Sequence, residues 1–253
     1  DSDLKLRKGT NLAPEQEALW EQAFAEGNRQ FAAAQLSDED KLRWKYQRYV
    51  KSYAASVQSM DRQIGRLLDY LEANNLMDNT LVVYSSDQGF FLGENGWFDK
   101  RWINDASSRV PLLMEWRGHI RPGTVSDALV QNIDFAPTLL DAAGVKPKTP
   151  MQGVSLLPLF KPHPKPWHRD LYYQFYENPG FHCVARHYGV ITERSKLAYY
   201  YQNDEWELFD RETDPADQRN LYGKSGYDDI TEDLKRRLQA LRAQYQVPET
   251  DPE

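Results

Sequence analysis

The sequence is poor in cysteine, in positive charge and in long apolar runs, and each shortage removes a class of function. Cys183 is the single cysteine, so no intrachain disulfide can form and cysteine usage says nothing about compartment. With 31 Lys and Arg against 38 Asp and Glu, the formal net charge is −7. That argues against a nucleic-acid binder, whose footprint is a basic patch. It leaves room for an anionic substrate, because one local cation site outweighs a distant field. No apolar run approaches the ~20 residues of a membrane span. Asp1 to Thr10 lacks the apolar core of a signal peptide, so a targeting segment is expected to be absent or already removed. No Asn-x-Ser/Thr sequon occurs, which leans against a glycosylated lysosomal or secreted eukaryotic protein. What the chain holds in quantity is aromatic side chains, 15 Tyr and 7 Trp, enough for a sizeable core.

Pro14 suits a helix start, and an alanine-rich helix is expected over Glu15 to Ala34. Ser37 followed by Asp40 predicts the capped start of a long helix. Along it Trp44, Tyr49, Tyr53, Val57, Met60, Ile64, Leu67, Leu68 and Leu71 recur at three- and four-residue steps, so one face is expected to be core. Asn74 and Asn75 end it. Leu81 to Tyr84 and Val110 to Trp116 read as strands buried on both faces, and Gln131 to Ala143 as a short helix stopped by Gly144. Lys146 to Pro166 is a proline- and lysine-rich connector in which His163, like His168 just past it, reads as solvated. Beyond it the pattern changes to short aromatic strands at Leu171 to Tyr176, Gly189 to Glu193, Leu197 to Tyr201 and Trp206 to Phe209, closed by an amphipathic helix at Ile230 to Tyr245. The expected fold is α/β: part of a mainly parallel sheet with flanking helices, plus a small C-terminal antiparallel sheet packed with a helix. The expected domains are residues 1–145, a connector at 146–168, and a subdomain at 169–253.

The stretch from Thr80 to Arg109 concentrates the chemistry. Its strand runs into Ser85-Ser86-Asp87-Gln88-Gly89, and polar groups at the carboxyl end of a buried strand lie where open α/β sheets bind ligands. Asp87 offers carboxylate oxygens and Gln88 an amide oxygen, donors that suit a hard divalent cation such as Ca²⁺. Asp99 and Lys100 bring a fixed positive charge into the same loop. A lysine beside a cation site implies an anion between them. Read alone, S-D-Q-G is also compatible with a plain polar turn in which Asp87 caps the next segment. The acidic string Asp210, Glu212, Asp214, Asp217 lacks the alternation and central glycine of a calcium loop, and reads as a turn.

The longer wording, SDQGFFLGENGWFDKRW followed by SRVPLLMEWRG, resembles type I sulfatases of the alkaline-phosphatase superfamily. The helix-to-strand run KYQRYVKSYAASVQSMDRQIGRLLDYLEANNLMDNTLVVYSSDQG and the ending WELFDRETDPADQRNLY are similar to the same family. The resemblance implies sulfuric ester hydrolysis with calcium and a formylglycine nucleophile made from Cys or Ser in C/S-x-[PA]-x-R. In that family the nucleophile and two further calcium carboxylates lie N-terminal to the S-D-[NHQ]-G strand. No such motif occurs here: Arg186 follows Cys183 by three residues where four are required. The chain is therefore expected to be the C-terminal portion of a sulfatase, inactive alone and partnered by an N-terminal sulfatase segment or chain.

Position by position, the resemblance implies that Asp87 and Gln88 ligate calcium and that Lys100 holds a sulfate oxygen and stabilises the leaving group. Asn95 stands where many relatives have His; it keeps hydrogen bonding but cannot shuttle a proton. GFHCVARHYGVITERSKL is similar to a loop of N-acetylglucosamine-6-sulfatase-like enzymes that leans over the active site. This makes His182, Arg186 and His187 candidates for reading the sugar, against the alternative of an ordinary hairpin. The implied substrate is a sulfated glycan, best matched by 6-O-sulfated N-acetylglucosamine, and the implied location is periplasmic or secreted. Two rivals remain open: a phosphodiester or phosphonate hydrolase of the same superfamily, and a non-catalytic glycan-binding remnant.

Overall fold

A computed structural model describes residues 11–161, 167, 169–180 and 182–249. The chain forms two compact units that divide between Asn74 and Asn75.

The first unit holds two helices. Helix α1, Pro14–Ala33, has its proline in the first turn, where a missing N–H costs no intrahelical bond. Helix α2, Asp38–Ala73, begins as predicted, with the Ser37 hydroxyl accepting from Asp40 N–H at 3.1 Å. Phe31 stacks on Trp44 with centroids 4.3 Å apart, and the Arg48 guanidinium lies over Phe24. Otherwise the expected core stripe is not buried. No residue of α2 is buried, and Tyr53, Val57, Met60 and Leu67 are exposed. The helical period was legible, but what covers an apolar face is decided outside the helix.

The second unit opens with strand β1, Val82–Ser85, followed by the two-residue strands β2, Phe91–Leu92, and β3, Phe98–Asp99. A single helical turn, α3, Asp105–Ser108, leads to β4, Leu112–Glu115, and helix α4, Phe135–Ala142, follows. Gly144, past its end, has φ +67°, the left-handed stop expected of that glycine. The strands β1 and β4 were expected in a parallel sheet. Among the described residues they pair with each other, antiparallel, with Val82 opposite Glu115 and Ser85 opposite Leu112. The connection between them is a folded loop rather than a crossover helix, and only a crossover returns the chain in the same direction.

The C-terminal sheet is an antiparallel meander of β5 (Leu171–Phe175), β6 (His187–Ile191), β7 (Ser195–Tyr200) and β8 (Glu205–Asp210), in sequence order. Helix α5, Asp228–Gln244, packs on one face through Leu234, Leu238 and Leu241, with Tyr245 just past its end, against Val190, Leu197 and Leu208. Alternation sends the other residues of these strands to the opposite face. There Ile191, Ala198 and Tyr200 surround Ile103, which is wholly buried, with Trp102 beside it. Gly189 makes that seat possible: a Cβ there would lie 2.4 Å from Ile103 Cδ1 and 2.4 Å from the Leu197 carbonyl. One face of the sheet thus carries a helix and the other carries the loop that follows Lys100. The expected connector lies inside this unit; Leu156 is buried, while His163 and His168 lie outside the described residues.

Candidate active site

The turn after β1 is fixed from both sides. Ser85 Oγ donates to Pro111 O at 2.9 Å, tying the end of β1 to the start of β4, and Ser86 Oγ donates to Gln88 O at 2.8 Å. Gly89 passes so close to α3 that a Cβ would fall 2.3 Å from Ala106 O. Its N–H donates to Ser107 O at 2.7 Å. Only glycine fits, and the turn presents Asp87 and Gln88 beside the lysine loop.

The Gln88 amide spans Asp87 and Lys100. With its nitrogen toward Asp87 Oδ2, at 3.1 Å, its oxygen accepts from Lys100 Nζ at 3.3 Å. Turned over, the amide sets an oxygen against the Asp87 carboxylate, so that two hard donors converge as they do around a cation. Lys100 Nζ is also 3.7 Å from Asp99 Oδ1. Asp99 in turn meets Arg101 Nη1 at 2.6 Å and His182 Nδ1 at 3.2 Å, and Arg101 Nε is 4.0 Å from Glu177. The chain therefore brings Asp87, Gln88, Lys100 and His182 into one polar cluster with Asp99, Arg101 and Glu177. Lys100 is half-buried, a position that leaves its ammonium able to meet an anion. Arg101 and Glu177 escaped the sequence reading; the D-K-R wording carried the signal for Arg101, whereas nothing local marks Glu177.

Three further candidates make contacts of their own. Asn95 has φ +57° inside the Glu94–Gly96 turn, and its Nδ2 donates to Ala216 O at 3.4 Å. Asparagine tolerates that left-handed conformation, so the residue serves the turn. Arg186 hydrogen-bonds the Asn178 carbonyl, and its backbone N–H donates to Gln202 Oε1 at 2.7 Å, which shapes the hairpin mouth.

His187 corrects an expectation. It was a candidate for reading the sugar, yet it is fully buried on β6, among Trp102, Tyr173, Phe175 and Tyr200. Strand alternation points it into the loop-facing core rather than the pocket. Nδ1 lies 2.8 Å from Ala185 O, and Nε2 has no hydrogen-bond partner among the described residues. Burial pushes the imidazole down to about 4, against the opposing effect of the Ala185 hydrogen bond, so the ring is neutral. Cys183 is exposed, with φ +52°.

The loop after Lys100 is anchored by buried charge. Lys196, wholly buried on β7, places Nζ 2.7 Å from Asp105 Oδ1 and 2.7 Å from Asp217 Oδ2. Asp217 also accepts from Asp105 N–H at 2.8 Å, and Arg211 reaches Asp105 Oδ2 at 3.2 Å. Burial works against the Asp105 carboxylate, but Lys196 and then Arg211 outweigh it and hold its carboxyl below the usual range. The acidic string is no cation loop: Asp214 Oδ2 accepts from Gln218 and Arg219 N–H, a turn as expected. Among the described residues no group of three or more His, Cys, Asp or Glu forms a metal site.

This fold is that of sulfatases. The sulfatase family model matches residues 13–145, and the model for N-sulphoglucosamine sulphohydrolase, C-terminal, matches residues 93–244. The chain belongs to the sulfatase family. It is 41% identical over 238 residues to an N-acetylglucosamine-6-O-sulfatase of Bacteroides thetaiotaomicron, covering 92% of this chain and 42% of that protein. It is 30% identical over 190 residues to an arylsulfatase of Clostridium perfringens, covering 74% of this chain and 38% of the relative. A protein solved in complex with its substrate D-glucosamine-2-N,6-O-disulfate superposes with a TM-score of 0.88 at 40% identity, over 94% of this chain and 49% of that one. The chain spans about two fifths of the length of these curated relatives.

Proposed function

We propose that this chain is the C-terminal portion of a sulfuric ester hydrolase acting on 6-O-sulfated N-acetylglucosamine or a related sulfated glycan, outside the cytoplasm. The carrying observation is the placing of the Gln88 amide between the Asp87 carboxylate and the Lys100 ammonium, which gathers a carboxylate, an amide and an ammonium at one spot. The relative named an N-acetylglucosamine-6-O-sulfatase and the neighbour solved with a 6-O-sulfated glucosamine support the substrate class. No helix among the described residues is long and apolar enough to cross a membrane.

In this reading Lys100 binds a sulfate oxygen and offsets the charge that grows on the leaving oxygen, an electrostatic contribution that is commonly the largest single one. Asp87 and Gln88 would contribute two of the six to eight oxygen ligands calcium takes. The remaining ligands and the nucleophile come from an N-terminal segment outside this sequence. Calcium bound there would gather sulfate charge, and a formylglycine hydrate in that segment would supply the attacking oxygen. Asp99 holds Arg101 and His182 at the rim, where a sugar hydroxyl would meet them. The exposed apolar residues Tyr53, Val57, Met60 and Leu67 on α2, and Val83 and Leu113 on the β1–β4 pair, support a covering N-terminal segment. That segment would also supply the parallel strands that β1 and β4 lack. Residues 1–145 are then the end of the α/β core and residues 169–253 its antiparallel subdomain.

The test is sulfate release from N-acetylglucosamine 6-sulfate by the full-length protein. Lys100→Ala should lower turnover by roughly 10²- to 10³-fold with an unchanged circular dichroism spectrum. Wild-type-like turnover of that variant removes Lys100 from the site. Preferred hydrolysis of a phosphonate or phosphodiester assigns the chain to that rival, and glycan binding without hydrolysis to the remnant reading. A native mass equal to this chain alone sinks the complete enzyme.

A further inference from the structure

Lys100 sits between two non-glycine residues in the left-handed region, Asp99 at φ +79° and Arg101 at φ +94°. Such conformations are costly and persist only where the surroundings hold them. Here the Arg101 peptide groups are gripped at both ends. Its N–H donates to Ser107 Oγ at 2.7 Å, and its carbonyl accepts from Tyr173 Oη at 2.7 Å. Ser107 is buried, and its own carbonyl accepts from Gly89 N–H at 2.7 Å. One residue therefore joins the turn that carries Asp87 and Gln88 to the loop that carries Lys100. Tyr173 reaches in from β5 of the C-terminal sheet, its ring stacked on the buried His187. Burial pushes the Tyr173 phenol far up, with Arg101 opposing, so the hydroxyl stays protonated and able to donate.

We infer that Ser107 and Tyr173 are positioning residues that hold the Arg101 peptide in its left-handed conformation and so set where Lys100 stands relative to Asp87 and Gln88. The inference rests on Lys100 being the sulfate-contacting lysine. Neither hydroxyl meets substrate. Each acts by making one backbone geometry cheaper than its alternatives, and the C-terminal sheet thereby takes part in building the pocket it borders.

The test uses the full-length protein with Tyr173→Phe and Ser107→Ala, each in the wild-type and in the Lys100→Ala background. A single hydrogen bond lost at the clamp should lower kcat/KM about tenfold where Lys100 is present. In the Lys100→Ala background the same substitutions should cost nothing further, because no ammonium is left for the clamp to position. Binding of inorganic sulfate, measured by calorimetry, should weaken about tenfold on Tyr173→Phe only when Lys100 is present. Equal losses in both backgrounds, or no loss in either, overturn the positioning role. Full activity of Lys100→Ala alone removes Lys100 from the site, and this inference with it, while the sulfatase reading stands. If Ser107→Ala fails to fold, Tyr173→Phe carries the test, since its ring and packing are retained.

Discussion

The Lys196 ammonium, with no exposed surface, lies 2.7 Å from Asp105 Oδ1 and thereby ties the C-terminal sheet to the turn that follows Lys100. Asp217 completes the buried group at 2.7 Å. Two carboxylates share one ammonium, with Arg211 at the edge. The residues are 91 apart in sequence, so this tie exists only once both parts have folded.

Removing the lysine leaves two buried carboxylates facing each other. Lys196→Met should therefore destabilise the protein by about 3–5 kcal/mol, well beyond the loss of a surface pair. Urea titration followed by tryptophan fluorescence measures it, and a loss below 1 kcal/mol would show that the group relaxes to solvent.

His187 predicts acid sensitivity. Its imidazole is held down to about 4 when folded, against 6.5 unperturbed, chiefly by burial. The unfolded chain takes up a proton there first as pH falls, so the folded state loses stability from near pH 6.5 down to about 4. The full effect is on the order of 3 kcal/mol. His187→Phe should flatten the pH dependence across that window; an unchanged slope would place its origin elsewhere.

Gly89 and Gly27 should respond to alanine with opposite signs. At Gly89 the new methyl meets the Ala106 carbonyl at 2.3 Å and Ser107 backbone atoms at 2.9 Å, and backbone cannot step aside. Destabilisation of about 1–3 kcal/mol is expected, with loss of turnover. At Gly27, inside α1, the methyl meets nothing within 4 Å, and alanine should stabilise by about 0.5–1 kcal/mol. Thermal denaturation of both variants reads the contrast.

Calcium should raise the melting temperature of the full-length protein, and a chelator should reverse it. If Asp87 is a ligand, Asp87→Ala abolishes most of that shift, since stabilisation follows ligand concentration over Kd. An identical calcium shift in the variant removes Asp87 from the metal site.

Much of the local structure was legible. The Ser37 cap, the Asn74 stop, the four C-terminal strands and α5 all follow from nearest-neighbour chemistry: a side chain accepting from a nearby N–H, a period of two, a period near four. The direction of pairing between β1 and β4 was not legible, because an apolar strand reads alike in parallel and antiparallel sheets. Nor was the fate of His187. Its neighbours in sequence suggested a pocket histidine, while its neighbours in space are aromatic rings.

By itself the sequence determined the chemical types at the site: a carboxylate, an amide and a lysine in one glycine-punctuated loop, in a wording shared with sulfatases. Only the tertiary structure decided where those groups stand. The Gly89–Ser107 and Tyr173–Arg101 hydrogen bonds, and the seat of Ile103 against Gly189, set the spacing of Asp87, Gln88 and Lys100. The reason is physical. Such contacts join residues distant in the chain, their strength depends on tenths of an ångström and on exclusion of water, and no local pattern encodes either.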